Sequence, residues 1–388
     1  MMMENVAVLS AVRTPIGKGG KGAFNRTRPD ELGAIAIKEA LARTLIKPEN
    51  VEDVIFGCAM PEGEQGMNVA RIMSLRAGLP NSVAAATVNR FCASGLQAIA
   101  DVAKSIESRQ LTVGIGGGVE SMSMVPMGGH KPSANPYLIN HQPGTYMPMG
   151  LTAEEVAHRF GINRQRQDEF SLQSHQKACA AIEKGWFKDE IVKVTVTNYD
   201  AGKEKSFVVE VDDGPRSDTN LDALAALKPA FKINGSVTAG NSSQVSDGAS
   251  AAVLMNSGYA KDNGFKIFGF FRAFVTAGVD PAVMGTGPIP AVKKLLALTG
   301  LKLSDIDVFE VNEAFAAQAV YCIDELGIDP SKVNPLGGAI ALGHPLGCTG
   351  ARQLATMLHH MARHNLRYGI STMCVGGGMG AASLVERA

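Results

Sequence analysis

Aromatic side chains make up only 6% of the 388 residues, with one tryptophan, and charged residues 19% with a formal net charge of +0. That balance, with a pI near 7.1, leaves no basic surplus for gripping phosphate backbones and argues against nucleic acid as a partner. No apolar run reaches the length of a membrane span. The opening MMMENVAVLSAVRTP enters a strand pattern directly, without the architecture of a signal peptide. Six cysteines, at positions 58, 92, 179, 322, 348 and 374, include no Cys-x-x-Cys and no framework spacing. Neither a disulfide scaffold nor a zinc site is therefore expected, and free thiols in a reducing cytoplasm are.

Glycine, by contrast, is abundant at 43 residues, which suits tight α/β turns and close backbone packing. The length is enough for two or three lobes around a sizeable core. The chain is organised around Val88–Ile99, VNRFCASGLQAI. Before it, SVAAATVN reads as a short buried strand. After it, Leu96, Ile99, Ala100, Ala103 and Ile106 recur at helical spacing. Cys92 then sits where strand turns into helix, with Ser94 and Gly95 easing the turn. A thiol ahead of a helix N-terminus is expected to have its pKa lowered by the peptide dipoles. Taken alone, a cysteine is more often inert packing.

In order, strands are expected at 6–12, 51–58 and 111–120, and helices at 29–43 and 68–77, with an exposed Gly/Lys-rich loop at 17–28. The second half repeats this order: strand 266–275, helix 289–298, strand 308–310, a helix opening at Gly350 as one opens at Gly95, and CVGGG at 374–378 echoing the glycine strand at 113–118. Such matched βα arrays indicate two duplicated lobes rather than a short-period solenoid. After Gly378 the final strand follows at once, whereas after Gly118 its counterpart (249–255) arrives only after an insertion. The expected domains are an N-terminal lobe (1–120 with 247–265), an inserted loop domain (121–246) and a C-terminal lobe (266–388). The insertion carries a helix at 164–184, a strand pair at 192–211 and methionines 122, 124, 127, 147 and 149, which could fill core or line an acyl chain.

Three further stretches carry chemistry. In Gly343-His344-Pro345-Leu346-Gly347 a rigid Gly/Pro frame presents an imidazole, unlike His359, His360 and His364, which are expected to be solvated near a helix end. Histidine with cysteine is the pair needed to generate a thiolate near neutral pH. Cys374 stands before three glycines whose N–H groups are free to face a ligand, and could act as acid or base. In Val311-Asn312-Glu313-Ala314-Phe315 the amide could hold a water or donate to an oxyanion; the plainer alternatives are a helix cap at Asn312 and an exposed Glu313.

Together VNRFCASG, NEAF, GHPLG and CVGGGMG, in this order over nearly the whole chain, resemble the thiolase family. The resemblance implies an α/β duplicated thiolase fold: two lobes with mixed five-stranded sheets in αβαβα layers and a loop domain over coenzyme A. By position it implies Cys92 as nucleophile, His344 as its base and later an oxyanion donor, and Asn312 as holder of the oxyanion water. Cys374 becomes the second acid/base, and the N–H groups of Cys92 and Gly376 the other oxyanion hole. Ser243 matches a pantetheine contact, Arg216 a residue near the nucleotide, and Met149 and Met284 methionines lining the acyl site. Coenzyme A is a substrate, and neither cofactor nor metal is implied. PEGEQG (61–66) and MGTGPIPA resemble the 3-ketoacyl-CoA-cleaving branch in the bacterial fatty-acid oxidation complex, which implies a homodimer, alone or within an α2β2 assembly with a hydratase/dehydrogenase. Pro148 stands where several short-chain thiolases have histidine, which favours longer or varied acyl chains. The competing readings are a biosynthetic condensing enzyme, either an acetoacetyl-CoA thiolase or a ketoacyl synthase, and a non-catalytic lipid-binding protein on the same fold. Synthases do not need a second cysteine, so Cys374 favours thiolase.

Overall fold

The computed structural model describes residues 2–200 and 203–388. Its strands are β1 (Val6–Arg13), β2 (Gly17–Lys18), β3 (Asp53–Gly57), β4 (Ala84–Val88), β5 (Val113–Ser121), β6 (Val194–Asp200), β7 (Lys203–Val209), β8 (Ser246–Asn256), β9 (Gly269–Gly278), β10 (Val308–Val311), β11 (Tyr368–Val375) and β12 (Met379–Arg387). All but β6 and β7, which form their own hairpin, belong to one mixed sheet with the path β10-β11-β12-β9-β1-β8-β5-β3-β4 and β2 appended to β8.

Two half-sheets meet along a short seam. The N-terminal half runs β4-β3-β5-β8-β1, with β3 parallel to β4 and β5, and β8 antiparallel to both its neighbours. The C-terminal half runs β10-β11-β12-β9 in the corresponding pattern, and an isolated parallel bridge, Phe309 to Val333, occupies the fifth place. The seam is β1 against β9, with Ala7 opposite Phe270 and Val8 opposite Gly269. Strands β1 and β5 are buried along their whole length. Their sequences are accordingly runs of small and apolar residues rather than alternations.

Helices cover both faces of this sheet. Pro29–Ala42 and Val69–Arg76 pack on the outer face of the N-terminal half, and Pro288–Thr299 and Ala316–Leu326 on that of the C-terminal half. Between the halves lie Ser94–Glu107 and Leu346–His364, whose Leu96, Ile99, Leu354 and Met357 share one core with Val8, Leu254, Met373 and Val385. Burying each such side chain contributes about 1.5–3 kcal/mol. The central pair of helices can approach so closely because of glycine. A Cβ on Gly350 would lie 2.6 Å from Leu96 Cβ, and one on Gly95 would lie 2.6 Å from the Gly347 carbonyl oxygen. The two glycines that correspond in sequence therefore meet at one crossing.

Three expectations need correction. The strand 84–88 is not buried: Ala84 and Ala86 are exposed and β4 is a sheet edge. An apolar composition signals that a surface wants covering, not that the same chain covers it. The 17–28 segment is not a solvated loop. Gly17 and Lys18 pair with β8, Phe24 is fully buried, and the N–H groups of Lys18 and Ala23 donate to Asp213. His359 and His360 are not solvated either. His359 Nε2 is 3.1 Å from the Ala11 carbonyl oxygen, and burial lowers both pKa values, that of His360 to about 4.

Among the described residues, no helix is long and apolar enough to cross a membrane.

Candidate active site

Cys92 lies in the short turn Phe91–Ala93 that feeds the 94–107 helix. Phe91 has φ +43°, a left-handed conformation that a non-glycine residue adopts at a cost of about 1–3 kcal/mol. Its N–H donates to Asn89 Oδ1 at 2.8 Å, and its carbonyl accepts from Ser94 Oγ at 2.7 Å. The strain aims Cys92 inward, where it packs with Ala59 and Leu346 and against Met122.

The backbone N–H groups of Gly376 and of Cys92 itself face the sulfur and favour its anion. Burial dominates, however, and raises the thiol to about 11. The expected lowering by the helix N-terminus is therefore not observed. A dipole at a helix end is worth at most about 2 kcal/mol, whereas full burial shifts an ionisable group by up to about 5 pK units. Cys92 rests as a neutral thiol.

His344 comes from the opposite half. Its loop is fixed by Gly343, φ +101°, where a Cβ would lie 2.3 Å from Ser246 Oγ, and by the His344 N–H donating to Gln244 O at 3.1 Å. His344 Nδ1 is 2.7 Å from Thr349 Oγ1, and that hydroxyl donates to the Pro345 carbonyl at 3.1 Å. The hydroxyl proton is thus engaged, so Nδ1 carries a hydrogen and Nε2 is left with a lone pair. The Asn312 amide lies 3.3 Å from Nε2. Burial first, then Arg352, lower the imidazole to about 3. The resting pair is therefore thiol and neutral imidazole, not an ion pair, and Nε2 is a ready proton acceptor.

Asn312 follows β10, where the Val311–Thr372 pairing carries its N–H to the Thr372 carbonyl at 2.9 Å. Gln318 Nε2 donates to its carbonyl at 3.2 Å, while its buried Oδ1 has no partner. An unsatisfied buried acceptor costs about 1–3 kcal/mol, so the amide is held for something other than its own comfort. It is not a helix cap, because the following helix begins at Ala316. Glu313 is not exposed: it is buried and accepts from Ser174 Oγ at 2.6 Å, Asn334 Nδ2 at 2.7 Å and the Ile340 N–H at 3.1 Å, tying the insertion to the histidine loop.

Cys374, at the end of β11, is fully buried beside Met284 and Phe315, with Met149 packed against the group. Burial first, then proximity to Cys92, raise its thiol well above the usual range. Beyond it the chain turns on Gly377 and Gly378, φ +80° and +84°, into β12. A Cβ on Gly376 would stand 3.5 Å from Phe91 Cδ2 and 3.7 Å from Met149 Sδ. Cys92, Cys374, Gly376, Met149 and Met284 therefore share one neighbourhood, and the Asn312–His344 pair is joined to it through the histidine loop, whose Leu346 packs on Cys92.

The substrate-side expectations divide. Ser243 donates its N–H to the Ala314 carbonyl at 3.0 Å, beside the NEAF turn. Arg216 is exposed on a separate cavity of about 250 Å³ with His175, Asp218, Leu224, Leu227 and Ile340. The methionines do not form one cluster. Met122 packs by Cys92 and Met149 by Cys374, while Met127 is 53% exposed. Reading the sequence missed Glu120 and Gln65, both fully buried. The only signal was a carboxylate at the end of a glycine strand.

Residues 6–258 match the family description "Thiolase, N-terminal domain" and residues 265–387 match "Thiolase, C-terminal domain". The chain belongs to the thiolase family. The 3-ketoacyl-CoA thiolase of Bacillus subtilis (strain 168) is 51% identical over 389 residues, covering 99% of this chain and 100% of that one. Peroxisomal 3-ketoacyl-CoA thiolase A of Mus musculus is 48% identical, covering 99% and 91%. Among solved structures, the Bacillus anthracis acetyl-CoA acetyltransferase superposes with a TM-score of 0.92 at 39% identity, and human mitochondrial 3-ketoacyl-CoA thiolase with 0.91 at 35%; each pairing covers 100% of both chains. In this thiolase the two halves of the sheet and the central helix pair are the family's layered architecture.

Proposed function

We propose that this thiolase cleaves 3-ketoacyl-CoA with coenzyme A, giving acetyl-CoA and an acyl-CoA two carbons shorter, through an acyl group on Cys92. The observation that carries the reading is the nearness of two buried thiols, one of them faced by the N–H groups of Cys92 and Gly376, to a histidine loop whose imidazole keeps its lone pair on Nε2. As the Cys92 sulfur attacks the substrate ketone, His344 Nε2 takes its proton. The C2–C3 bond breaks and its electron pair leaves as the enolate of acetyl-CoA, which takes a proton on carbon from Cys374. The acyl group stays on Cys92 as a thioester. Cys374, now a thiolate, removes the proton of an incoming coenzyme A thiol. That sulfur attacks the thioester, and Cys92 departs and regains a proton from His344.

Developing negative charge needs donors at both stages. The N–H groups of Cys92 and Gly376 suit the thioester oxygen, and a water held by the unpartnered Asn312 Oδ1, with protonated His344, suits the enolate oxygen. Each such donor is worth about 3 kcal/mol. No step requires a metal or redox cofactor. Ser243 and Arg216 are the proposed coenzyme A contacts, and Met149 and Met284 line the acyl side. The domain assignment is two lobes, 1–120 with 247–265 and 266–388, and an inserted 121–246 segment over coenzyme A.

The exposed edge β4 supports a homodimer through that strand. Association with a hydratase/dehydrogenase subunit, as the PEGEQG and MGTGPIPA stretches suggest, is checked by co-purification. A cytoplasmic setting is supported by six free thiols.

A biosynthetic condensation of two acetyl-CoA is the second reading, favoured by the likeness to an acetyl-CoA acetyltransferase. Rate against acyl length separates the two. Coenzyme A-dependent loss of the absorbance of magnesium-complexed 3-ketoacyl-CoA across medium and long chains is expected, and activity confined to acetoacetyl-CoA would overturn the degradative reading. No loss at any length would leave a non-catalytic protein.

A further inference from the structure

We propose that Glu120 is a positioning residue that locks the nucleophile turn of one half to the histidine loop of the other. The proposal rests on the reading of Cys92 as nucleophile. Glu120 is fully buried at the end of β5, and its carboxylate accepts from four N–H donors on three segments. Oε2 takes the Ala59 N–H at 2.8 Å and the Gly347 N–H at 2.7 Å; Oε1 takes the Met60 N–H at 3.1 Å and Gln65 Nε2 at 2.8 Å. Gln65 Nε2 also donates to the Met60 carbonyl at 2.8 Å, which closes the ring on the 59–60 turn.

Each arm ends at a catalytic side chain. On the N-terminal side, the Ala59 carbonyl accepts from Asn89 Nδ2 at 3.0 Å. Asn89 Oδ1 accepts the N–H of Phe91 at 2.8 Å, in the strained residue immediately before Cys92. On the C-terminal side, Gly347 stands between His344 and Thr349, the hydroxyl that fixes the imidazole tautomer. No side chain could replace this contact. A Cβ on Gly347 would lie 2.8 Å from Glu120 Oε2, and one on Gly118 would lie 2.0 Å from the Gly347 carbonyl oxygen. Reactive groups on two halves of a duplicated fold need a shared fixed point, because a misplacement of about 1 Å costs about 100-fold in rate. A buried carboxylate saturated by backbone donors supplies one.

The carboxylate also acts through its charge. The Cys58 thiol, 3.7 Å from Oε1, and the thiols of Cys92 and Cys348 are all pushed up partly by it, with Arg352 and Arg13 opposing at Cys348.

Glu120→Gln keeps the shape but sets an NH2 against donors and removes the charge. In the full-length protein, kcat is expected to fall about 10- to 100-fold with KM for coenzyme A changed less than about twofold. The pH midpoint of iodoacetamide alkylation of Cys92, read by mass spectrometry, is expected to move downward. A merely structural role would not move that midpoint. Asn89→Ala breaks one arm and leaves the charge: kcat is expected to fall about 10-fold with the midpoint unmoved, and this variant decides the matter if Glu120→Gln does not fold. Wild-type kcat in either folded variant, or an unmoved midpoint in folded Glu120→Gln, overturns the proposal. Absence of thiolysis in the wild-type protein would instead sink the functional reading, while the alkylation midpoint would still report on Glu120.

Discussion

At the residue scale, the resting chemistry is that of neutral groups. Burial holds Cys92, at about 11, and His344, at about 3, in their neutral forms, and under the proposed mechanism the thiolate forms only as the carbonyl is attacked. Alkylation of the free protein at Cys92 should accordingly accelerate with pH well beyond 9, and a plateau reached below pH 7 would show an ion pair instead. Cys92→Ser should leave no acyl-enzyme when 3-ketoacyl-CoA is mixed without coenzyme A and the protein is weighed intact; an adduct on another cysteine would refute the assignment. Cys374→Ser should slow exchange while leaving Cys92 alkylatable. Asn312→Ala should lower kcat about 100-fold if its amide holds the oxyanion water, and a change under about threefold would remove it from the site.

How much of this could be read beforehand depended on how a residue announces itself. Cys92, His344 and Cys374 stand in unusual local frames of Gly, Pro and Ser, and Asn312 in the NEAF stretch at the end of a strand, and one dimension suffices to notice them. Glu120 and Gln65 do not, because their roles exist only through partners at Ala59 and Gly347, 61 and 227 residues from Glu120 along the chain. The direction of the Cys92 shift was illegible for a related reason. A helix start is local and visible, whereas desolvation comes from everything packed around the sulfur.

At the scale of elements, the crossing of the 94–107 and 346–364 helices sets the distance between the halves. Gly350→Ala would press a methyl group to 2.6 Å from Leu96 Cβ and 2.7 Å from the Leu96 nitrogen. Overpacking of this kind costs about 1–3 kcal/mol, read as a lower denaturation midpoint, and should also depress kcat by moving the histidine loop. Unchanged stability would mean the helices slide apart freely. Element positions followed well from periodicity, since β1, β5 and the 164–183 helix fall where the apolar pattern put them. Strand β4 was misjudged because its AAATV sequence is equally consistent with cover from within the chain and from outside it. If the proposed homodimer forms through β4, Ala86→Lys on its exposed face should shift sedimentation from dimer towards monomer, and a wild-type profile would overturn that contact.

At the scale of the whole molecule, buried histidines and buried carboxylates pull stability in opposite directions as the pH falls. Burial lowers His344 to about 3 and His175 and His360 to about 4, so each binds its proton more readily when unfolded. Their contribution to stability is lost as pH falls below 6.5. Buried Glu310 works the other way: raised to about 7 despite Arg352 at 3.2 Å, it holds more proton when folded and gains stability as pH falls from 7 to 4.5. Burial raises Glu120, Glu313 and Asp247 as well, and these act in the same direction as Glu310. In His360→Gln the urea midpoint should fall less between pH 6.5 and 4 than in the wild type, because one proton-binding difference between the folded and unfolded chain is removed; an equal fall would show that His360 is not held neutral by burial.

The glycine-to-glycine meeting of Gly95 and Gly350 has a genealogical corollary. An ancestor made of one repeat could have formed this crossing only with a twin, so the pairing of two chains would predate their fusion. Cutting the present polypeptide near residues 262–266, between the repeats, should yield fragments that are inert when kept apart and regain turnover when mixed, because neither piece holds both Cys92 and His344.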